Sequence, residues 1–227
     1  MLLKELETLI TSQVSPKLAI PNDFIGFMDD YDTSQNIENI KIFMDIYPKY
    51  DNDLEKTLIL THHKPLFTPK TPTYVLHSNW DVINGGSNDA LAKSLDLKVV
   101  DVFDKNLGIG RICEPEDKNS FLDNLKSRFK EIRMVGELNK LNRIGIISGF
   151  GLKNPNYVRL AKDRNVDTLI SGDLTQETAV LAINEGISLI DLGHHNSEVP
   201  GLLKLKELFK DCNLNVEVVN QPPWESL

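Results

Sequence analysis

Apolar segments of strand length alternate with segments of helical periodicity along most of the chain. Short apolar runs bounded by turn residues predict strands, and apolar residues recurring every three or four positions predict helices. The predicted strands are 40–46, 57–61, 73–77, 98–102, 143–148, 167–171, 187–192 and 214–219. The predicted helices are 2–12, 87–95, 120–132, 156–164, 176–184 and 198–209. Strands that alternate with helices at this spacing indicate an α/β fold with crossover connections.

Local chemistry marks the ends of two predicted helices. Thr175 precedes the helix 176–184 and is a typical N-cap, and Gly186 follows it as a typical C-cap. Ser197 is expected to cap the last helix, which would place Glu198 in its first turn. The positive end of the helix dipole favours a carboxylate there.

The composition becomes polar and helical between residues 113 and 140, with strand-rich stretches on either side. We therefore predict an N-terminal α/β lobe over residues 1–115 and a C-terminal α/β lobe over residues 140–227. Residues 116–139 are expected to form a helical connection that contains no inserted domain.

The composition of the 227 residues is that of a globular protein, with 41% hydrophobic and 26% charged residues. The formal net charge of −8 disfavours nucleic acid and anionic membranes as partners, although a local basic patch remains compatible with it. Cys113 and Cys212 are isolated, which argues against a zinc knuckle or a disulfide framework. The N-terminal segment lacks the order of a signal peptide, and no apolar run approaches the roughly 20 residues of a membrane span. A cytoplasmic protein is expected.

All five histidines fall into two short clusters, and each cluster follows a predicted strand. Ligands collect beyond the carboxyl ends of strands in open α/β sheets, so the two clusters are expected to share one site. Imidazole and carboxylate groups together are typical ligands of borderline divalent metals. A single histidine at a strand end is more often structural, but the absence of histidine outside the clusters favours metal binding. The clustered residues are His62, His63, His77 and Asp81, and then His194, His195 and Glu198.

The spacing within each cluster is compatible with two neighbouring ions. Adjacent side chains on a strand point to opposite faces, so His62 and His63 can approach a common region only where the strand breaks. The lysine–proline pair that follows them supplies such a break. His194 and Glu198 lie on either side of a strand-to-helix turn, where Glu198 could bridge two cations. Asp81 could close the opposite side of the site.

Three further residues are candidates for supporting roles. His77 is expected to orient a ligand or contact substrate, and a purely structural role is about equally compatible with its position. Asp173 and Glu177 could supply a general base near the metals, although helix capping explains them as well and is the favoured interpretation. His195 is expected to face solvent or a subunit contact.

These motifs, with the residues around them, resemble the dinuclear metal-centre family known as Ngg-interacting-factor-three-like proteins. Members of that family are often catalogued as GTP cyclohydrolase I type 2 homologues. The resemblance extends over most of the chain in the family's order. The matching segments are 58–63, 77–81, 85–91, 107–111, 171–175 and 193–198 with Gly201.

The resemblance implies two divalent metal ions in the cleft between two α/β lobes, and a ring-shaped homohexamer. The ligands that it implies are His62, His63, Asp81, His194 and Glu198. The chain departs from the family's usual pattern because only thirteen residues separate His63 from His77. This shortening keeps the ligands and is expected to change the entrance of the cleft.

Two main functions follow from the resemblance. One is a metal-dependent hydrolase that acts on a nucleotide or phosphoester, in the manner of a GTP cyclohydrolase of type 2. The alternative is a ring-shaped protein that binds single- and double-stranded DNA and uses the metal site for structure or regulation. Metal storage or delivery is a third possibility. The ligand set suits zinc, iron, manganese, nickel or cobalt.

Overall fold

The computed structural model describes residues 1–52, 54–138 and 141–224. The chain forms two compact units, one comprising Met1–Ile83 with Leu202–Leu227 and the other Asn84–Gly201. These unit bounds differ from the predicted lobes, 1–115 and 140–227. The division into those lobes stays a prediction from composition. The predicted connection and C-terminal lobe include residues 139, 140 and 225–227, which lie outside the described residues.

Both units are built from strands connected by helices, which confirms the predicted α/β class. The strands in chain order are β1 (Gly26–Phe27), β2 (Asn39–Phe43), β3 (Thr57–Thr61), β4 (Thr73–Val75), β5 (Leu97–Asp104), β6 (Ile109–Pro115), β7 (Arg133–Val135), β8 (Ile144–Ile146), β9 (Thr168–Ser171), β10 (Ser188–Asp191) and β11 (Asn215–Val219). The α-helices are α1 (Leu3–Gln13), α2 (Ser78–Val82), α3 (Ser87–Ser94), α4 (Lys118–Arg128), α5 (Asn156–Asp163), α6 (Gln176–Glu185) and α7 (His194–Leu205).

The first unit contains a sheet with the strand order β1-β4-β3-β2-β11. Strands β4, β3, β2 and β11 run parallel, and β1 is antiparallel to β4. All five residues of β3 are buried, as expected for an inner strand of a parallel sheet covered on both faces. Helix α1 buries Leu3, Leu6 and Ile10, which lie on one face because they are three and four residues apart.

The second unit contains a sheet with the strand order β5-β6-β8-β9-β10-β7. The parallel strands β8, β9 and β10 form its middle, and antiparallel pairs join β6 and β7 to them. Helices α3 and α4 supply apolar side chains to the core on this sheet. That core includes Leu91, Phe121, Ile144, Ile170 and Ile190.

The predicted strands and helices are all present, with ends that differ by a few residues. Among the strands and α-helices of the described residues, four were not predicted, namely β1, β6, β7 and α2. Strand β6 was missed because Gly110 and Arg111 interrupt its apolar pattern, although both are buried. Strand β7 begins directly after the predicted helix 120–132, whereas α4 already ends at Arg128. None of the described helices has the length and apolar character that a bilayer crossing requires.

Candidate metal centre

His62 and His63 lie directly beyond the carboxyl end of β3. Their backbone amides donate to the carbonyl oxygens of Phe43 and Met44 at 3.0 and 2.9 Å, which extends the pairing with β2 past the end of the strand. The Thr61 hydroxyl donates to the carbonyl oxygen of His63 at 2.9 Å. The two imidazole ring centroids are 5.1 Å apart. The structure therefore brings the adjacent histidines to a common region, as the sequence predicted.

His77 belongs to the same group of imidazoles. Its ring centroid lies 5.1 Å from that of His62 and 5.6 Å from that of His63. One ring nitrogen from each of the three histidines lies within 4.8 Å of the other two, and His62 is buried while the other two are half-buried. His77, for which a supporting role was predicted, thus lies beside two of the predicted ligands.

The Nδ1 atom of each of these three histidines is held by an oxygen atom that only accepts hydrogen bonds. Each Nδ1 therefore carries the proton, and Nε2 is the nitrogen that would ligate a metal ion. The three acceptors, for His62, His63 and His77 in turn, are the Leu76 carbonyl oxygen, Asp45 Oδ1 and Asp23 Oδ1, each at 2.8 Å.

Asp81 lies on the Nε2 side of the buried histidine of this group. Helix α2 begins directly after His77 and places Asp81 in its first turn, with only 9% of the residue exposed. Asp81 Oδ1 is 3.6 Å from His62 Nε2. An imidazole nitrogen and a carboxylate oxygen of two predicted ligands thus face each other within the first unit.

Asp23 is held in a position to orient His77. The backbone amides of Phe24 and Ser78 donate to its two carboxylate oxygens at 2.9 and 3.0 Å. Burial by itself raises the pKa of this carboxyl group, but the hydrogen bonds from Ser78 and His77 outweigh burial and leave the pKa below its usual value. Asp23 is therefore ionised near neutral pH and accepts a hydrogen bond from His77 Nδ1.

The orienting carboxylates Asp23 and Asp45 were not found by sequence reasoning. Asp45 was included in a predicted strand that continues to residue 46, whereas β2 ends at Phe43 and Asp45 lies beyond its carboxyl end. Because ligands and their partners collect beyond the carboxyl ends of strands, this position could have identified Asp45 as a candidate. Asp23 is separated from His77 by 54 residues and has no local pattern that points to it.

The second cluster is centred on the start of α7. The preceding strand β10 ends at Asp191, and α7 begins at His194. His194 and Glu198 are four residues apart and therefore share one face of the helix. His194 Nε2 lies 3.3 Å from Glu198 Oε1, and Glu198 is only 4% exposed. The second unit thus presents another imidazole and carboxylate pair.

The predicted start of this helix was wrong. Ser197 was expected to be the N-cap, but it lies within the first turn of α7. Its hydroxyl donates to the carbonyl oxygen of His194 at 2.8 Å and accepts from the Gly149 amide at 2.9 Å. His195, expected to face solvent or a subunit contact, is only 6% exposed. Because α7 begins at His194, the directions of the His194 and His195 side chains follow the helix and do not alternate between two faces as they would on a strand.

Asp173 orients His194 in the same way as the carboxylates of the first cluster. Its backbone has a positive φ of 62°, and its Oδ2 accepts from His194 Nδ1 at 2.8 Å. The favoured interpretation of Asp173 as a helix-capping residue is therefore wrong. Thr175 is the N-cap of α6, as predicted, and accepts from the Thr178 amide at 3.2 Å. Glu177 is exposed in the first turn of α6.

The surroundings of His194 favour a positive charge on its ring. Burial by itself lowers the pKa of this imidazole, but the bonds to Glu198 and Asp173 outweigh burial and raise the pKa to about 9. The carboxylates of Glu198 and Asp173 therefore stabilise a positive charge at this imidazole.

Gly149 is a further residue of this cluster that sequence reasoning missed. It has a positive φ of 83°, and a Cβ atom at this position would lie 2.2 Å from Glu198 Oε1 and 3.3 Å from His194 Nε2. The Glu198 carboxylate therefore occupies the space that any other residue at position 149 would need.

Each of the two α/β units thus carries imidazole and carboxylate groups beyond a strand end, a set of side chains that could hold a metal ion. The family model described as Duf34/NIF3 (NGG1p interacting factor 3) matches residues 70–223. A GTP cyclohydrolase 1 type 2 homolog of Methanothermobacter thermautotrophicus is 35% identical over 215 residues, which cover 92% of this chain and 89% of that protein. One from Clostridium perfringens is 32% identical, covering 83% of this chain and 84% of that protein. The chain therefore belongs to the Duf34/NIF3 family.

Solved structures have the same fold. Reduced HcgD from Methanocaldococcus jannaschii superposes with a TM-score of 0.85 and 26% identity, covering 97% of this chain and 98% of that one. A hypothetical protein from Staphylococcus aureus gives a TM-score of 0.84 at 22% identity, covering 100% of this chain and 99% of that one. The second likeness supports the fold alone.

Proposed function

We propose that this protein binds two divalent metal ions through the imidazole and carboxylate groups of both clusters. The proposed ligands are His62, His63, Asp81, His194 and Glu198. They comprise nitrogen and oxygen donors of the kind that zinc, iron, manganese, nickel and cobalt accept.

The observation that carries this proposal is the way in which the histidines are oriented. In both clusters Nδ1 is bonded to a carboxylate or carbonyl oxygen, and Nε2 is on the side of a buried carboxylate. Histidine ligands of protein metal sites are usually oriented by such a bond, which sets the tautomer and the direction of Nε2. A purely structural histidine does not require such an Nδ1 bond, and here the bond recurs at His62, His63, His77 and His194.

The proposed activity is hydrolysis of a nucleotide or phosphoester. Divalent ions at such a site would lower the pKa of a water molecule and offset the negative charge that develops on a substrate oxygen. His77, held by Asp23, lies beside His62 and His63, where its Nε2 can exchange a proton with the substrate or with water. The names of the relatives point to GTP as a substrate to test first.

Metal binding can be tested with Asp45→Asn, which removes the carboxylate that orients His63. Wild-type protein dialysed against Zn²⁺, Mn²⁺ or Co²⁺ should retain two ions per chain by elemental analysis. Asp45→Asn should lower the metal affinity about 10–100-fold, the usual cost of losing an orienting partner. Glu38→Gln, at an exposed carboxylate paired with Lys56, is the control and should leave the affinity unchanged. Wild-type protein that retains no metal would contradict the proposal.

Hydrolysis can be tested on the metal-loaded protein with GTP, other nucleotides and simple phosphoesters. Wild-type protein should turn over at least one of these compounds, and His63→Ala should not. Equal turnover by the two proteins would show that the activity belongs to a contaminant or to another site.

We further propose, from the family resemblance, that the protein is cytoplasmic and forms a ring-shaped homohexamer. Light scattering on the purified protein would test the number of subunits. DNA binding by such a ring ranks below hydrolysis because the chain has a formal net charge of −8. If the protein binds DNA with an affinity that falls steeply as the salt concentration rises, DNA binding becomes the favoured function. Rapid loss of metal to a chelator would favour storage or delivery of the ion.

A further inference from the structure

Arg133 bonds a buried carboxylate next to the second cluster. In the antiparallel pairing of β7 with β10, Arg133 lies directly opposite Asp191. Its Nε donates to Asp191 Oδ2 at 2.7 Å, and Nη2 contacts the same oxygen. The Asp191 residue is 2% exposed, while 65% of the arginine side chain is exposed. A surface guanidinium thus neutralises a buried carboxylate at the end of β10.

Asp191 in turn holds the peptide from which α7 starts. Its second carboxylate oxygen, Oδ1, accepts from the Gly193 amide at 3.0 Å. Gly193 has a positive φ of 78° and directly precedes His194. The position of the His194 backbone therefore depends on the Asp191 carboxylate.

The same guanidinium also bonds the segment that carries Asp173. Arg133 Nη2 donates to the Leu174 carbonyl oxygen at 3.3 Å, and Leu174 directly follows Asp173. Asp173 is the residue whose carboxylate accepts the Nδ1 proton of His194. Arg133 thus bonds both the segment that leads to His194 and the segment that carries Asp173.

We propose that Arg133 is a positioning residue that fixes the Asp173–His194 pair for metal binding, an inference that rests on the proposed function. The guanidinium suits this role because its donors have a fixed planar geometry and can bond two acceptors in different directions. A lysine at the same position would keep the charge beside Asp191 but would lack this second directed donor.

The inference can be tested on the metal-free protein by proton NMR. The His194 Nδ1 proton, bonded to Asp173, should give a low-field resonance that disappears in Asp173→Asn. Arg133→Met should shift or broaden this resonance and lower the Co²⁺ affinity about tenfold, the lower end of the range for lost orienting groups. Arg133→Lys should give intermediate values for both.

The control is Arg143→Met, at another arginine of the second unit, whose Nε donates to the Arg164 carbonyl oxygen at 3.2 Å. It should leave the resonance and the Co²⁺ affinity unchanged. Folded Arg133→Met with a wild-type resonance and wild-type affinity would overturn the inference, even if its free energy of unfolding had fallen. If Arg133→Met does not fold, wild-type values in Arg133→Lys would overturn it. Wild-type protein that binds no Co²⁺ would refute the proposed function, and the resonance alone would then decide the role of Arg133.

Discussion

Single residues of the second cluster are placed by close backbone contacts. Gly149 lies against the Glu198 carboxylate, and its amide bonds Ser197. The absence of a side chain at this position is what allows Glu198 to be buried beside His194.

We predict that Gly149→Ala destabilises the protein and weakens metal binding. The positive φ costs an alanine about 1–3 kcal/mol, and the new Cβ would lie 2.2 Å from Glu198 Oε1, so the carboxylate must move. Denaturant unfolding and Co²⁺ titration measure the two effects. Gly85→Ala is the matched control because its φ of 77° is similar and no atom lies within 4 Å of the new Cβ. Equal losses of stability and equal Co²⁺ affinities in the two variants would contradict the steric explanation.

The raised pKa of His194 gives the metal-free protein a pH-dependent stability. The folded state binds this proton more tightly than the unfolded state, because the pKa is about 9 in the fold and 6.5 in an unstructured chain. The stabilisation is therefore complete below pH 6.5 and is lost as the pH rises through about 9. The free energy of unfolding measured in the presence of a chelator should fall over this interval.

The variant His194→Gln should show a shallower decrease between pH 6.5 and 9 because it lacks the titrating group. A decrease as steep as that of the wild-type protein would mean that another residue is responsible. If His194 ligates a metal ion as proposed, the ion has to displace the same proton, so the apparent metal affinity should rise over the same pH interval.

The elements of the fold differ in how well local patterns predict them. The inner strands β3, β9 and β10 are fully buried and each is centred on a short apolar run, so their ends were predicted within one or two residues. Helix α6 carries both of its end signals, since Thr175 caps its start and Gly186 has the left-handed conformation at its end. Elements with such strong local signals need no tertiary information.

Helix α7 and strand β7 show where local patterns fail. Ser197 was predicted to cap the last helix, but α7 begins at His194, three residues earlier. Strand β7 has three residues, exposed or half-buried, so it has no apolar run to identify it. It is held in the sheet by pairing with β10, which lies more than fifty residues later in the chain.

At the scale of the whole molecule, the two compact units differ in how the chain builds them. The second unit is one continuous segment, Asn84–Gly201, whereas the first needs the C-terminal segment from Leu202. Strand β11 of that segment pairs along the full length of β2.

We therefore predict that a fragment of residues 84–205, which keeps α7 complete, folds on its own. It contains its own sheet and its own apolar core, so it should unfold cooperatively by circular dichroism. A fragment of residues 1–83 is the comparison and should not fold, because the edge of β2 loses its partner β11. An unfolded 84–205 fragment, or a cooperatively folded 1–83 fragment, would contradict this division of the chain.

The sequence by itself determined the α/β class, the order of most elements and the residue types of the candidate site. These follow from apolar periodicity and from the chemistry of histidine and carboxylate, which are local properties of the chain. Only the tertiary structure decided that Asp23, Asp45 and Asp173 orient the histidines and that His77 lies among the candidate ligands. Each of these hydrogen bonds joins residues 18 to 54 positions apart, so the folded backbone brings together partners that no local pattern connects.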